Sequence, residues 1–291
     1  MTSFLYSLRY LLADVLGEDD GAPPFLPEGL PGEATTLVSD AIHLLMDYQS
    51  ASYAQLYVDR LGRFVGRKDV DAATFCEIAR LMANRMSYED PIRIAQLKLV
   101  EPERGAGNKV APSTDIRKFR LDELIGSLPA PAAEPVLDVL DIVGWRQKRI
   151  AVPFSNASRW GVLRLKFEAG LRRWRRFSTR YEQERVWVER WLHMIARCLA
   201  KQPGAASAIV ATATMIQGYG DVYRQGLADW HAIIDGLAKP TFDGALPLSD
   251  LAGAIAEARA AAMLDPRQVA LKRAIAQIRA RALAGASAAA E

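Results

Sequence analysis

From Ser158 to Lys201 the chain carries no proline, and only Gly161 and Gly170 interrupt the run. At 1.5 Å per residue this predicts a helix of about 40 residues, roughly 60 Å long. Trp160, Leu163, Phe167, Leu171, Trp174, Tyr181, Val188, Trp191, Ile195 and Leu199 fall along it at helical intervals and predict one buried stripe. The segment is also basic. Between Arg159 and Lys201 stand 12 Lys/Arg against 4 Asp/Glu, a net of +8, so with +3 for the whole chain the remainder carries −5. Lys166, Arg173 and Arg180 recur every seven residues on one flank, and Arg172 and Arg176 lie one turn apart on the other.

The rest of the chain repeats the helical spacing. Leu37, Ile42, Leu45, Tyr48, Tyr53, Leu56, Tyr57 and Leu61 mark one pattern, and Phe75, Ile78, Leu81, Met82 and Met86 a second. Residues 101–115 read as a loop, and Pro129, Pro131 and Pro135 punctuate two short helices. Further helices are expected at 204–216, 221–237, 248–262 and about 266–284. Only "KRIAVPF" (148–154) has strand character. The prediction is therefore an all-α fold: an irregular multi-helix bundle with one long basic amphipathic helix and at most one short strand-like segment. Residues 1–16, with Phe4, Leu8, Leu11, Leu12 and Val15 on one side, predict an amphipathic helix that docks on the body or on a partner. A Pro/Gly linker spans 17–34, a helical domain 35–285, and a disordered tail 286–291. Any division into two subdomains is expected near 145–157.

Several chemistries lack their parts. No nucleotide-binding glycine fingerprint, Walker loop or nucleophile elbow is present. The three histidines are scattered, with His43 four residues from Asp47 and His193 four from Glu189, which suits pairing on a helix face better than a metal site. Cys76 and Cys198 sit at apolar helical positions and read as buried, reduced thiols, which suits a cytoplasmic protein. The apolar N-terminal segment is broken by Arg9 and Asp14, no later run approaches membrane-span length, and no membrane association is expected.

Two features remain as candidate sites. Lys166, Arg172, Arg173, Arg175, Arg176 and Arg180 on the basic helix suit docking to an acidic protein or to phosphate groups. A solvated or internally paired basic face is the competing explanation. RNA binding ranks last, because the tryptophans fall on the stripe expected to be buried. The second feature is "TATMIQGYGD" (212–221), which reads as a helix ending at a left-handed glycine, with Asp221 capping the next helix. Alternatively Gly218, Tyr219, Gly220, Asp221 and nearby arginines hold an anionic small molecule such as CoA or an aryl acid.

Four stretches, "LLMDYQSASYAQLYVDRL", "ARLMANRMSYEDPIRIAQLK", "GLRRWRRFSTRYEQERVWVERWL" and "IQGYGDVYRQGLADW", occur in this order over about residues 35–240. Together they resemble the C-terminal helical region of long indolepyruvate:ferredoxin oxidoreductase beta-subunit proteins, a region of unassigned function. In those proteins it follows a glycine-rich 2-oxoacid oxidoreductase gamma-type domain. Here the short helix and Pro/Gly linker stand in that place, and no thiamine-diphosphate motif or ferredoxin-type cysteine run occurs. The resemblance implies a non-catalytic accessory or assembly module of a 2-oxoacid:ferredoxin oxidoreductase system. This chain is then expected to bind no cofactor itself. Thiamine diphosphate and iron–sulfur clusters would be held by partner oxidoreductase subunits, and an acidic electron carrier such as a ferredoxin is a second candidate partner.

Overall fold

The computed structural model describes residues 22–104, 114–263 and 267–290, so the helix expected at 1–16 lies outside the described residues. The elements in order are α1 (Ala34–Tyr48), α2 (Ala51–Leu61), α3 (Ala72–Met86), α4 (Pro91–Arg104), β1 (Thr114–Arg120), α5 (Leu121–Ile125), α6 (Ala130–Ile142), β2 (Arg149–Ser155), α7 (Arg159–Gly170), α8 (Thr179–Lys201), α9 (Ala206–Ala211), α10 (Gly220–Ile233), α11 (Lys239–Phe242), α12 (Leu251–Ala262) and α13 (Val269–Ala290). Among the described residues the fold is all-α apart from one two-stranded sheet. Two compact units divide the chain: Ile42–Val58 with Met86–Val186, and Leu26–Ala41 with Asp59–Arg85 and Trp187–Glu291. The division expected near 145–157 lies inside the first unit.

In the first unit β1 and β2 pair antiparallel, in register from Thr114↔Ser155 to Arg120↔Arg149. Phe119 and Phe154 meet edge-on beneath the sheet, with ring centroids 6.1 Å apart. The sequence suggests only the second strand. β1 escapes notice because its inward-facing register carries Asp115 and Arg117 ahead of Phe119, while Ile116 faces outward. Asp115 is held by the buried Lys98 ammonium at 3.2 Å, a pairing no local pattern reveals.

The expected 40-residue helix is three pieces: α7, a 3-10 turn over Leu171–Phe177, and α8. Ser178 is extended (φ −77°, ψ 149°) and breaks the rod. Its hydroxyl accepts from the Tyr181 amide at 3.1 Å, capping α8, and donates to the Arg175 carbonyl at 2.6 Å. The α5–α6 corner fixes the break: the Gly126 carbonyl accepts from the Thr179 hydroxyl and the Arg180 amide, and Pro129 forms an isolated bridge with Ser178. α7 lies against α4 and β2. A side chain at Gly161 would put its Cβ 2.4 Å from the Ser155 carbonyl oxygen, so the first turn of α7 sits directly on the end of β2.

The second unit is built around indoles. Trp187 and Trp191 stack one turn apart on α8 (5.9 Å, 10°), and Trp230 of α10 meets Trp187 edge-on at 5.3 Å. Each buried indole N–H of Trp191 and Trp230 finds an acceptor, the Ile209 carbonyl and the Thr212 hydroxyl. The Arg85 guanidinium lies over the rings of Trp187 (5.3 Å) and Tyr223 (5.8 Å) and donates to the Ile216 carbonyl. α10 continues through a π-helical turn, Ile234–Ala238, into α11. Pro240 explains the turn: it has no N–H for the Gly236 carbonyl four residues back, and that carbonyl accepts instead from Arg279 at 2.8 Å. α12 and α13 pack on one another. α13 runs on through the alanines expected to be a disordered tail, as strong helix formers allow.

Candidate functional site

The six basic residues expected on one docking face divide into two sets. Arg175 is 1 % exposed and Arg176 is also buried, so neither belongs to an outward face. The 3-10 turn rotates both inward. Arg175 lies 4.0 Å over the Tyr48 ring, grips Asp90 through two nitrogens (2.7 and 3.1 Å), and donates to the Tyr48 carbonyl at 2.6 Å. Asp90 also accepts from the Arg93 amide at 2.6 Å and so caps α4. Asp90 thus serves both as the cap of α4 and as one half of a buried ion pair. Arg176 reaches the Ser52 hydroxyl, and Arg180 pairs with the buried Glu184 and lies over Tyr88. These three arginines hold the first unit together.

Lys166, Arg172 and Arg173 are exposed, as is Arg159. None of the four forms an ion pair or side-chain hydrogen bond among the described residues. They border an apolar surface where the sequence predicts core: Trp160 is 81 % exposed, Leu163 58 %, Phe167 70 % and Trp174 52 %. At 100° per residue, Trp160, Leu163 and Phe167 share one side of α7. Arg159 and Lys166 fall on one margin, and Arg164, paired with Glu168, on the other. Leu165 alone faces inward, fully buried. The predicted stripe holds only from Tyr181 onward, where Val188, Trp191, Ile195 and Leu199 are buried. The break at Ser178 reorients everything before it. Val136, Val139 and Ile142 of α6 are a further exposed apolar strip in the same unit.

The Gly218–Asp221 corner belongs to the second unit. Gly218 and Gly220 both take positive φ (63° and 70°), where the sequence suggests one left-handed glycine. The cap differs from expectation. Tyr219 occupies the N-cap position but makes no capping hydrogen bond with its side chain, and Asp221 lies in the first turn, paired with Arg224 at 2.7 Å. Asp221 also lines a cleft of about 610 Å³ with Thr214, Met215, Val222, Asp229 and Arg259. Gly218, Tyr219 and Gly220 do not line it. The cleft exists because α10 approaches the Thr212–Met215 turn at Gly226, where a Cβ would stand 2.1 Å from the Met215 carbonyl oxygen. Arg259 bonds Thr214 across 45 residues, and Asp229, besides Gln225 one turn back, takes Gln268 from 39 residues on, so no local pattern joins the two charges.

The remaining titratable groups serve structure. Glu189 pairs with Arg60 and Arg63 rather than His193, and Asp47 with Arg93 rather than His43. Burial pushes the Cys198 thiol up to about 12, and its sulfur donates to the Gln202 carbonyl. Cys76 is half-buried, less enclosed than expected, and burial with Glu33 nearby raises its thiol too. Burial and the adjacent Arg190 guanidinium hold His231 below its ordinary value, against the opposing pull of Asp235. Among the described residues no group of His, Cys, Asp and Glu is arranged to hold a metal ion. No described helix is long and apolar enough to cross a membrane.

A family model described as a family of unknown function (DUF6537) matches residues 34–236, most of the chain, and the chain belongs to that family. No curated protein and no solved structure gives a significant match.

Proposed function

We propose that this member of the family is a docking module, and that the outward face of α7 with the following 3-10 turn is its contact surface. What supports the reading is the joining of two features along α7 and the 3-10 turn after it: an exposed apolar stripe, Trp160, Leu163 and Phe167, and four cations without internal partners among the described residues, Arg159, Lys166, Arg172 and Arg173. Aromatic residues and arginine dominate binding energy at protein interfaces, and surface cations steer an acidic partner to its place. The partner that fits is an acidic protein bearing apolar side chains. The motif resemblance narrows it to subunits of a 2-oxoacid:ferredoxin oxidoreductase or their electron carrier. Thiamine diphosphate and iron–sulfur clusters are then the partner's.

The test is surface plasmon resonance of the full chain against a purified 2-oxoacid:ferredoxin oxidoreductase and its ferredoxin. Lys166→Glu, Arg172→Glu and Arg173→Glu combined should weaken binding at least ~10-fold, the scale of one or two lost charge contacts. The circular dichroism spectrum should be unchanged, because all three side chains are exposed. Equal affinity in the triple variant removes the reading. Exposure of Trp160 and Trp174 also favours single-stranded nucleic acid more than the sequence does, since exposed indoles beside cations can stack on bases. Tight, salt-sensitive binding of an RNA homopolymer with no affinity for the oxidoreductase would replace the protein partner by that ligand.

A further inference from the structure

We propose that the cleft between α10 and α12 in the second unit binds a zwitterionic amino acid with a large apolar side chain, its ammonium on Asp229 and its carboxylate on Arg259. This site uses none of the residues of the docking face. Asp229 is only 5 % exposed, and it forms no ion pair among the described residues. Its carboxylate accepts instead from two amides, Gln225 Nε2 at 2.9 Å and Gln268 Nε2 at 2.7 Å. Gln268 reaches it from a backbone in the left-handed region, φ 62°. A buried carboxylate without an ion-pair partner is costly to the fold, and a non-glycine residue at positive φ adds to that cost. Neither is explained by stability. Both are explained if the carboxylate is held ready for a ligand cation.

Arg259 supplies the opposite charge on the same cleft. Among the described residues its one hydrogen bond is to the Thr214 hydroxyl at 2.8 Å, which leaves most of its five donors uncommitted there. Met215, Val222, Ala262 and Met263 provide the apolar lining, and the volume of about 610 Å³ falls within the range of small-molecule sites. A polyanion such as CoA would meet two carboxylates, Asp221 and Asp229, in this space. A simple aryl acid would leave Asp229 without its partner. One cation site, one anion site and an apolar wall between them match an amino acid.

Isothermal titration calorimetry on the full chain tests this with L-phenylalanine and L-leucine. 2-Phenylethylamine and 3-phenylpropionate, each carrying one of the two charges, serve as comparison probes. Saturable binding of at least one amino acid is expected, with both single-charge probes at least ~10-fold weaker than L-phenylalanine or undetected. Asp229→Asn keeps the shape and removes the charge, and Arg259→Gln alters a half-exposed side chain. Each should weaken amino-acid binding at least ~10-fold while thermal melting confirms a folded chain. The proposal fails if neither amino acid gives saturable heat up to about 10 mM, an affinity too weak to matter here. It fails equally if 3-phenylpropionate or 2-phenylethylamine binds as tightly as L-phenylalanine, or if Arg259→Gln binds like the unaltered chain.

Discussion

Arg175 and Arg172 stand in one run, "LRRWRRF", yet one is buried against Asp90 and the other lies in solvent. Composition and spacing cannot separate them, because the 3-10 turn that aims them is set by Ser178 and by contacts from the α5–α6 corner. Burying the pair makes it brittle. Asp90→Asn leaves a charged guanidinium without its counter-charge and is expected to cost about 3–5 kcal/mol, measured by urea denaturation. Glu189 shows the gentler, titratable case. Burial raises its carboxyl, but Arg60 and Arg63 more than offset this and hold it below the ordinary value. A carboxyl lowered on folding contributes stability above its unfolded pKa and loses it as pH falls through the folded value. Glu189→Gln should therefore melt earlier than the unaltered chain at neutral pH. The gap should close as pH drops below about 4.3, the free glutamate value, and melting temperatures across pH 7 to about pH 3 check it.

Among the elements, helices with a consistent apolar side were legible: α3, α8 from Tyr181 onward, α10 and α12 fall where the periodicity places them, while the one pattern over 37–61 divides at Gln49 and Ser50 into α1 and α2. The failures share a cause. β1 hides because charged residues occupy its inner register, and the long rod fails because α7 turns its largest apolar residues outward. Periodicity reports that a helix has an apolar side, not whether that side meets the core. Close backbone approach is equally silent in sequence. Gly226 looks like any mid-helix glycine, yet it is where α10 touches the Met215 carbonyl. Gly226→Ala should force the two backbones apart and cost about 1–3 kcal/mol, read by chemical denaturation. It should also abolish amino-acid binding at the cleft, whose wall it displaces.

For the whole molecule, the excess positive charge of the 159–201 segment has a simple distribution. Toward its C-terminal end the cations are neutralised within the protein: Arg180 by Glu184, Arg185 by Glu182, Arg190 by Asp235 and Arg197 by Asp243. At its N-terminal end Arg159, Lys166, Arg172 and Arg173 are left to solvent. Summed over the segment, the sequence shows only a basic stretch. The three-dimensional partition leaves these four cations at one end, and the docking proposal rests on them. The cleft is the opposite kind of feature. The glycine-rich corner that ends at its Asp221 was visible, but its two charges of opposite sign, Asp229 and Arg259, come from helices that no local pattern joins.

The face of α7 also fixes how a complex built on it would respond to its medium. Added sodium chloride screens Arg159 and Lys166 from an acidic surface but leaves the contact of Trp160, Leu163 and Phe167 nearly intact. Ammonium sulfate screens the same cations and at the same time strengthens apolar burial. Affinity should thus decline along the chloride series, whereas along the sulfate series it should pass through a minimum and recover. A face made only of charge, or only of apolar groups, has no such turning point.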